Sequence, residues 1–412
     1  MSVKLGVVVD RFPALSETFV ARELAELRRR GFDIYVYALR RGDELARELA
    51  EELLAQTTFR RGGAAWATAR GLGIFLGDRE ARKLARLFAR GDGLSRPAAA
   101  LRRLADVRQF ARAMRAAGVQ RVYAHFLGAT AAVGYGCARL LRLPLALAVH
   151  AGKSLFTLPR PPSALERAIA SYADAIVACA NVAREELVRN RGYPADKVHL
   201  IYHGVDADEL RAAVAQARAR LAPASAGPPA IVAVGRLVPK KGFHTLIAAC
   251  LLLAQRGVRF RCRIVGPAGD RRYAARLAQL AREAEGAVEL VGPVPWGRMA
   301  EEYARAAVLA APSEVAPDGD RDGLPNVVLE AAACGLPIVA TNVGGLPEFV
   351  REGDTGFLIP AGDPRALADA LRRLLEDEAL RRRLGEAAEA RVRAEFLREA
   401  AAAKLAPLLG AA

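Results

Sequence analysis

The sequence lacks any long apolar run. Its two longest uncharged stretches are residues 122–138 and 331–347. The first is broken by His125 and three glycines, the second by Pro337 and Pro347. Neither has the continuous apolar length that a membrane-spanning helix needs. Cysteine is scarce: Cys137, Cys179, Cys250, Cys262 and Cys334 make an odd count with no Cys-x-x-Cys spacing. That argues against a disulfide framework and against a structural zinc site, with a reducing cytoplasm as the simplest setting. Histidine is also rare, five in all, and no His-Glu-x-x-His spacing occurs. The opening Met-Ser-Val-Lys-Leu-Gly is expected to begin a strand rather than a signal peptide.

What is present is ordinary globular material. The 412 residues suggest two to four domains at roughly 100–200 residues each. Domains of that size bury a sufficient core without a disulfide or metal staple. Hydrophobic residues make up 52% and charged residues 26%, which excludes disordered, collagenous and coiled-coil classes. Acidic residues are outnumbered, 45 against 61 Lys and Arg, for a net charge of +16. The excess is concentrated: residues 60–121 hold 15 Lys/Arg against 4 Asp/Glu, a local net of +11. Such a stretch suits an anionic partner: lipid headgroups, nucleic acid or a polyanionic substrate.

The periodicity alternates between strand and helix. Residues 3–9 form a run that is apolar but for Lys4, the mark of a strand buried on both faces. Phe19, Val20, Leu24 and Leu27 then recur at helical spacing, Gly31 ends that helix, and residues 34–39 form the next strand. Strand, helix and strand at this spacing make a βαβ unit and a parallel sheet. Residues 43–116 read as mainly helical, with Leu104, Val107, Ala111 and Met114 as one apolar stripe beside Arg108, Arg112 and Arg115. Further strands are expected at 121–124, 145–149, 175–178 and 198–201.

After the Pro- and Ala-rich stretch 221–229, strands restart at 230–234, 261–265, 288–291, 308–311, 338–340 and 356–359. Helices fall between them. The expected architecture is α/β: two doubly wound Rossmann-like domains facing across a cleft. The first spans 1–205, a linker spans 206–229, and the second spans 230–385. Helices from about 386 to 412 are expected to pack back on the first. Functional residues belong just after strands, where parallel sheets bind ligands.

Several motifs occupy such positions. Val234-Gly-Arg236-Leu-Val-Pro-Lys240-Lys241-Gly-Phe243 puts cations at a strand end and before a helix, which suits a diphosphate; the alternative is a solvated loop. Residues 312–350 are the densest stretch. Asp322 and Glu330 lie eight positions apart, and Gly323-Leu324-Pro325-Asn326 between them opens a helix whose free N–H groups suit phosphate or sugar oxygens. Glu330, among Val327, Val328 and Leu329, is too costly to bury without a ligand or partner.

Asp318, Asp320 and Asp322 match the start of a calcium loop, but its twelfth position is Leu329, which argues against an EF-hand. Two Asp-x-Asp triplets there offer magnesium ligands, yet the neighbouring cations make a metal less necessary. His125, His150 and His203 each follow a strand. Ser16 and Thr18 after the first strand are natural helix caps and also sit where an acceptor would bind. Gly71, Gly73, Gly134 and Gly136 read as packing glycines.

Three motifs together resemble the GT-B-fold retaining glycosyltransferases of family GT4, and more closely their bacterial exopolysaccharide (colanic-acid-type) branch. They are Phe-Pro-x-Leu-Ser-Glu-Thr-Phe at 12–19, Val-Gly-Arg-Leu-Val-Pro-Lys-Lys-Gly at 234–242, and Asp-Gly-Asp-x-x-Gly-Leu-Pro-Asn-Val-x-Leu-Glu-Ala at 318–331. The resemblance implies transfer of a sugar from a nucleotide-diphosphate donor with retention, without a metal or other cofactor. It assigns the diphosphate to Arg236 and Lys241 and the ribose to Glu330. Backbone contacts to the donor fall to Gly323 and Leu324, with Gly266, Pro325 and Asn326 in the same donor set. His150 is placed near the reacting carbon, with Asp322 and Glu330 as further catalytic groups. Ser16, Glu17, Thr18 and His125 form the acceptor set. Where the family usually has Glu, this chain has Asp322, one methylene shorter.

The implied partners are a UDP- or GDP-sugar and a polyprenyl-linked or saccharide acceptor. The setting is cytoplasmic, with the basic stretch held against an anionic inner leaflet or, alternatively, packed in the first domain with its arginines in water. Two rivals remain at this stage: a GT-B enzyme acting on a soluble small acceptor, and a non-catalytic protein binding nucleic acid or an anionic surface. No aromatic-interleaved basic strand or helix-turn-helix pattern supports nucleic acid.

Overall fold

A computed structural model describes residues 2–90, 97–157, 161–221 and 227–411. The chain divides into two compact units, Met1–Tyr202 with Ala402–Ala412, and His203–Ala401.

The first unit is built on a seven-stranded parallel sheet. Its strands are β1 (Lys4–Phe12), β2 (Asp33–Arg41), β3 (Thr57–Phe59), β4 (Arg121–His125), β5 (Leu145–Val149), β6 (Ala175–Ala178) and β7 (Val198–Leu200). Their order is β3-β2-β1-β4-β5-β6-β7. Every residue of β5 and β6 is buried, as strands covered by helices on both faces require. The second unit holds β8 (Ala230–Val234), β9 (Arg261–Val265), β10 (Val288–Gly292), β11 (Ala306–Ala311), β12 (Ile338–Thr341) and β13 (Gly356–Ile359). These are also parallel, in the order β10-β9-β8-β11-β12-β13. Both units are doubly wound. The strand order reverses between β1 and β4 in one sheet and between β8 and β11 in the other. In open parallel sheets the crevice at the strands' carboxyl ends forms at that reversal.

Three sequence expectations change. The stretch read as mainly helical contains β3, an edge strand paired with β2 from Val36 to Ala38. Three residues are too few for a periodic signal. Residues 207–220, expected as linker, form the helix Ala207–Arg220, capped by Asp206 at the Glu209 N–H. It buries Leu210, Val214 and Ala217 within the second unit. Of the linker-like stretch that follows, 222–226 lie outside the described residues. Gly71 and Gly136 are packing glycines, since a Cβ would strike the Leu101 carbonyl or come within 2.5 Å of Val107 Cγ2. Gly73 is not: it has open space around it.

The apolar stripe Leu104, Val107, Ala111 and Met114 is buried. Beside it Asp106 is buried and forms a bidentate pair with Arg60, at 2.8 and 2.5 Å. All five cysteines are buried free thiols.

Candidate functional site

In the second unit the expected donor residues converge at the β8/β11 reversal. The ends of β8 and β9 approach closely there, because a Cβ on Gly266 (φ +147°) would run into the Gly235 carbonyl. Gly266 therefore acts first through its backbone. Arg236 follows, exposed and in no ion pair among the described residues. Pro239–Lys241 make one tight turn, and Gly242 (φ +62°) leads into the helix Phe243–Gln255.

The two adjacent lysines differ. Lys240 is buried, with Nζ 3.0 Å from Asp320 Oδ1 and 3.2 Å from Asp322 Oδ1. Lys241 Nζ lies 2.7 Å from Asp322 Oδ2, and Ser313 Oγ donates to the same oxygen at 3.3 Å. Lys240 thus pins the acidic loop, while Lys241 is the more accessible cation. The Asp-x-Asp carboxylates at 320 and 322 are balanced by ammonium groups.

Burial pushes the Asp322 carboxyl up, but Lys241 and Lys240 more than offset this and hold it at about 2. Its ordinary value is 3.8. The pairing therefore contributes stability above that ordinary value, and the contribution is lost as pH falls through about 2. A shift of this size corresponds to about 2 kcal/mol. Denaturant unfolding of wild type and Asp322→Asn should differ by about that much near pH 7, with the gap closing at about pH 2. A gap that stays constant across this range would locate the stabilisation elsewhere.

The helix Asn326–Ala333 starts directly after Gly323-Leu324-Pro325, and no side chain caps it. Gly344 and Gly345 support its approach. Gly345 N–H donates to the Gly323 carbonyl at 3.1 Å, and a Cβ on Gly345 would come within 2.5 Å of Leu324 N. One turn in, Glu330 is buried and accepts from Tyr303 Oη at 2.8 Å. Burial, reinforced by this carboxylate, pushes the Tyr303 hydroxyl well up, so it stays a donor. The sequence argument demanded a ligand or partner for Glu330; Tyr303, 27 residues away, is one.

The other helix start is taken. Glu314 Oε1 accepts from Thr245 Oγ1 at 2.6 Å, and His244 Nε2 lies 3.6 Å from Oε2. The N-terminus of Phe243–Gln255, read from sequence as part of a diphosphate site, is already faced by the Glu314 carboxylate. A cavity of about 390 Å³ lies at the β9–β10 edge, lined by Arg263, Arg298 and Arg305 among others. Arg263 is held bidentately by Glu302 at 2.7 and 3.0 Å.

In the first unit the expected residues gather at the β1/β4 reversal. Ser16 and Glu17 lie in a tight turn, Leu15–Glu17, after β1, and the helix Thr18–Arg29 follows. Neither Ser16 nor Thr18 caps that helix: Glu17 holds the N-cap position, and its side chain makes no capping bond there. The turn is tied instead by the Leu15 N–H, which donates to Asp43 Oδ2 at 2.9 Å.

His125 ends β4 and His150 follows β5, both buried. His125 Nδ1 and His150 Nε2 are 3.1 Å apart, and the rings are nearly parallel at 9°. Glu23 Oε1 lies 3.6 Å from His125 Nε2 and accepts from Tyr123 Oη at 3.0 Å. Phe19 and Phe126 pack on the His150 ring at centroid distances of 4.9 and 4.2 Å. Phe126 has φ +67°, a costly conformation for a bulky residue that persists where surrounding contacts impose it. His125, expected to touch an acceptor, is fully buried, and its nitrogens face His150 and Glu23.

Sequence reasoning missed Glu23, Glu314 and Tyr303, because nothing in local spacing links them to their partners. It noted Phe19 only for its helical spacing and its place in the 12–19 motif; Phe19 packs on His150.

Residues 16–209 match the family described as Glycosyltransferase Family 4, and residues 218–391 match Glycosyl transferases group 1. The chain belongs to the GT4-type glycosyltransferases. It is similar to the amylovoran biosynthesis glycosyltransferase AmsK of Erwinia amylovora, 34% identical over 53% of this chain and 52% of that protein. It is also similar to the D-inositol 3-phosphate glycosyltransferase of Streptomyces bingchenggensis, 32% identical over 62% of this chain and 59% of that one. These matches span little more than half the length of each relative. Among solved structures, Anabaena Alr3699/HepE in complex with UDP and glucose superposes with a TM-score of 0.73 at 21% identity, covering 100% of both chains. That likeness establishes the GT-B fold of this glycosyltransferase.

Proposed function

We propose that this glycosyltransferase moves a sugar, with retention, from a UDP- or GDP-sugar to a lipid-linked or saccharide acceptor in cell-surface polysaccharide synthesis. One observation carries the reading: Arg236, exposed and in no ion pair among the described residues, follows β8 at the β8/β11 reversal, and Lys241 grips the loop that leads to the uncapped start of Asn326–Ala333. In the reaction the bond between the anomeric carbon and the phosphate oxygen breaks. A bond from the acceptor oxygen to that carbon forms on the same face, and the acceptor's proton passes to the departing phosphate. Negative charge grows on the diphosphate, where two fixed cations and free N–H groups stabilise it. Glu330 takes the ribose hydroxyls, and Gly323 and Leu324 offer backbone N–H groups.

No metal is needed in this reading, since lysines rather than an ion balance Asp320 and Asp322. The protein works on the cytoplasmic side of the membrane. The similarity to AmsK supports the polysaccharide setting. The similarity to a D-inositol 3-phosphate glycosyltransferase favours a second reading, a small soluble acceptor.

A thermal-shift panel of UDP, GDP, ADP and their sugars tests the donor. Ligand at about 100 times its Kd adds about 2.7 kcal/mol, a rise of several degrees in Tm. One nucleotide family should raise Tm and the others should not; no shift with any of them contradicts the reading. Turnover on a free polyol phosphate without lipid would decide for the second acceptor class.

A further inference from the structure

The carboxylate assigned to the ribose is held from behind. Tyr303, on the helix Trp296–Arg305, donates its hydroxyl to Glu330 Oε2 at 2.8 Å. Tyr303 is 0% exposed and Glu330 is 9% exposed, so the bond is shielded from water. A hydrogen bond to a carboxylate in such a place is among the stronger ones in a protein.

Tyr303 has little freedom to leave. The neighbouring Glu302 is buried and pins the helix to β9 through Arg263, at 2.7 and 3.0 Å. Met299 and Ala300, one turn earlier, are buried as well. The helix Ala207–Arg220 packs on both Trp296–Arg305 and Asn326–Ala333, so donor and acceptor ride on helices braced by a common third. Burial, reinforced by Glu330, pushes the Tyr303 hydroxyl well up, and it keeps its proton. Cys334 lies one turn beyond Glu330, its N–H donating to the Glu330 carbonyl at 3.2 Å. Burial and the Glu330 carboxylate push its thiol up to about 12. Both groups beside the carboxylate are therefore neutral at ordinary pH.

A glutamate carboxylate turns easily about its last torsion, whose profile is broad and two-fold. A buried donor on one oxygen removes that freedom. With Tyr303 on Oε2, the plane of the carboxylate is set before a ligand arrives, and so are the directions in which it accepts.

We propose that Tyr303 makes the site specific for ribonucleotide donors: it holds the Glu330 carboxylate in the orientation that accepts the ribose hydroxyls, so that a deoxyribose donor is rejected. This rests on the reading of Glu330 as the ribose-binding residue and deepens it. Tyr303 is a positioning residue and acts through Glu330 alone. A deoxy donor leaves an oriented, buried carboxylate short of a hydroxyl, and a site built to bind a hydroxyl discriminates strongly against the analogue that lacks it. A carboxylate free to turn discriminates less.

Isothermal titration of wild type and Tyr303→Phe with UDP, 2′-deoxy-UDP and 3′-deoxy-UDP tests the proposal, with the guanosine or adenosine set in their place where GDP or ADP is the nucleotide that raises Tm. Wild type is expected to bind the ribo form about 30-fold more tightly than the weaker deoxy form. In Tyr303→Phe the ribo form should weaken about tenfold and that deoxy form hardly at all, so the ratio should fall to about threefold. The variant keeps the ring and loses one oxygen, and its Tm is read alongside. Should the lone carboxylate prevent folding, Tyr303→Phe combined with Glu330→Ala removes both partners and is compared with Glu330→Ala. Those two should bind all three nucleotides alike, because Tyr303 has no carboxylate left to act through.

A wild type that prefers the ribo form beside a Tyr303→Phe with the same ratio overturns the proposal and leaves Glu330 on the ribose. So does equal weakening of all three forms, which is what a merely structural tyrosine would give, or a difference between the two Glu330→Ala proteins. A wild type that binds ribo and deoxy forms alike, or binds none of them, takes the ribose from Glu330 and overturns that reading together with the proposal.

Discussion

Arg236→Ala combined with Lys241→Ala should reduce turnover on the nucleotide-sugar by about 10³–10⁴-fold. Removing one fixed donor from a charge-stabilising site typically costs about 10²–10³-fold in kcat, and neighbours that act together are not additive. The single variants separate function from folding. Arg236 is exposed and in no ion pair among the described residues, so Arg236→Ala should lower kcat with Tm unchanged. Lys241→Ala also takes one cation from Asp322, which keeps Lys240 at 3.2 Å, so it should lower both kcat and Tm. Lys240→Ala should act mainly on stability, because Lys240 is buried and holds Asp320 and Asp322 together. Steady-state kinetics beside thermal melts on the three variants checks this ordering. A double variant with near-full activity would remove both residues from the reaction.

The second large effect is expected at the buried histidine pair. His150→Ala should cost about 10²–10³-fold in kcat if its ring nitrogen serves the transferred sugar. Glu23→Gln should cost about 10–100-fold, the usual scale for losing a carboxylate that orients a working histidine. Glu23 acts as a positioning residue: its carboxylate is 3.6 Å from His125 Nε2, and His125 Nδ1 is 3.1 Å from His150 Nε2. Neutralisation of that carboxylate should therefore lower kcat while leaving the donor KM unchanged, and Glu23→Asp should restore part of the loss. A merely structural Glu23 would lower Tm and leave kcat of the folded enzyme where it was. Phe19 and Phe126 fix the His150 ring plane, so an aliphatic replacement of either should affect kcat in the same direction.

Much of the frame was legible because it rests on runs of apolar residues. Residues 145–149 and 230–234 are strands with the bounds their sequence suggests, since a strand buried on both faces has no polar position to blur its ends; 261–265 keeps its bounds as well, although Arg261 is exposed. The edge strand Thr57–Phe59 carries no such run and was hidden in a helical background. Helix Ala207–Arg220 was hidden for a different reason: it lies beside a linker-like composition that drew the boundary too early.

At the site, strand-end positions were legible from motif spacing, which is how Arg236, Asp322, Glu330 and His150 were found. Their partners were not. Tyr303 meets Glu330 across 27 residues and Tyr123 meets Glu23 across 100, and only tertiary packing brings them together. Nor does a sequence distinguish two adjacent lysines. Burial does, by turning Lys240 into the acidic loop and leaving Lys241 nearer the surface. Asp322 in place of the family's Glu is visible in the sequence, but its grip on both lysines is a property of the fold.

The most direct test is a crystal structure of the protein with the nucleoside diphosphate selected by the thermal-shift panel. The account predicts phosphate oxygens within hydrogen-bond distance of Arg236 and Lys241, at the start of helix Asn326–Ala333, with the ribose hydroxyls on Glu330. A diphosphate seated elsewhere, for example among Arg263, Arg298 and Arg305 at the β9–β10 edge, would contradict it.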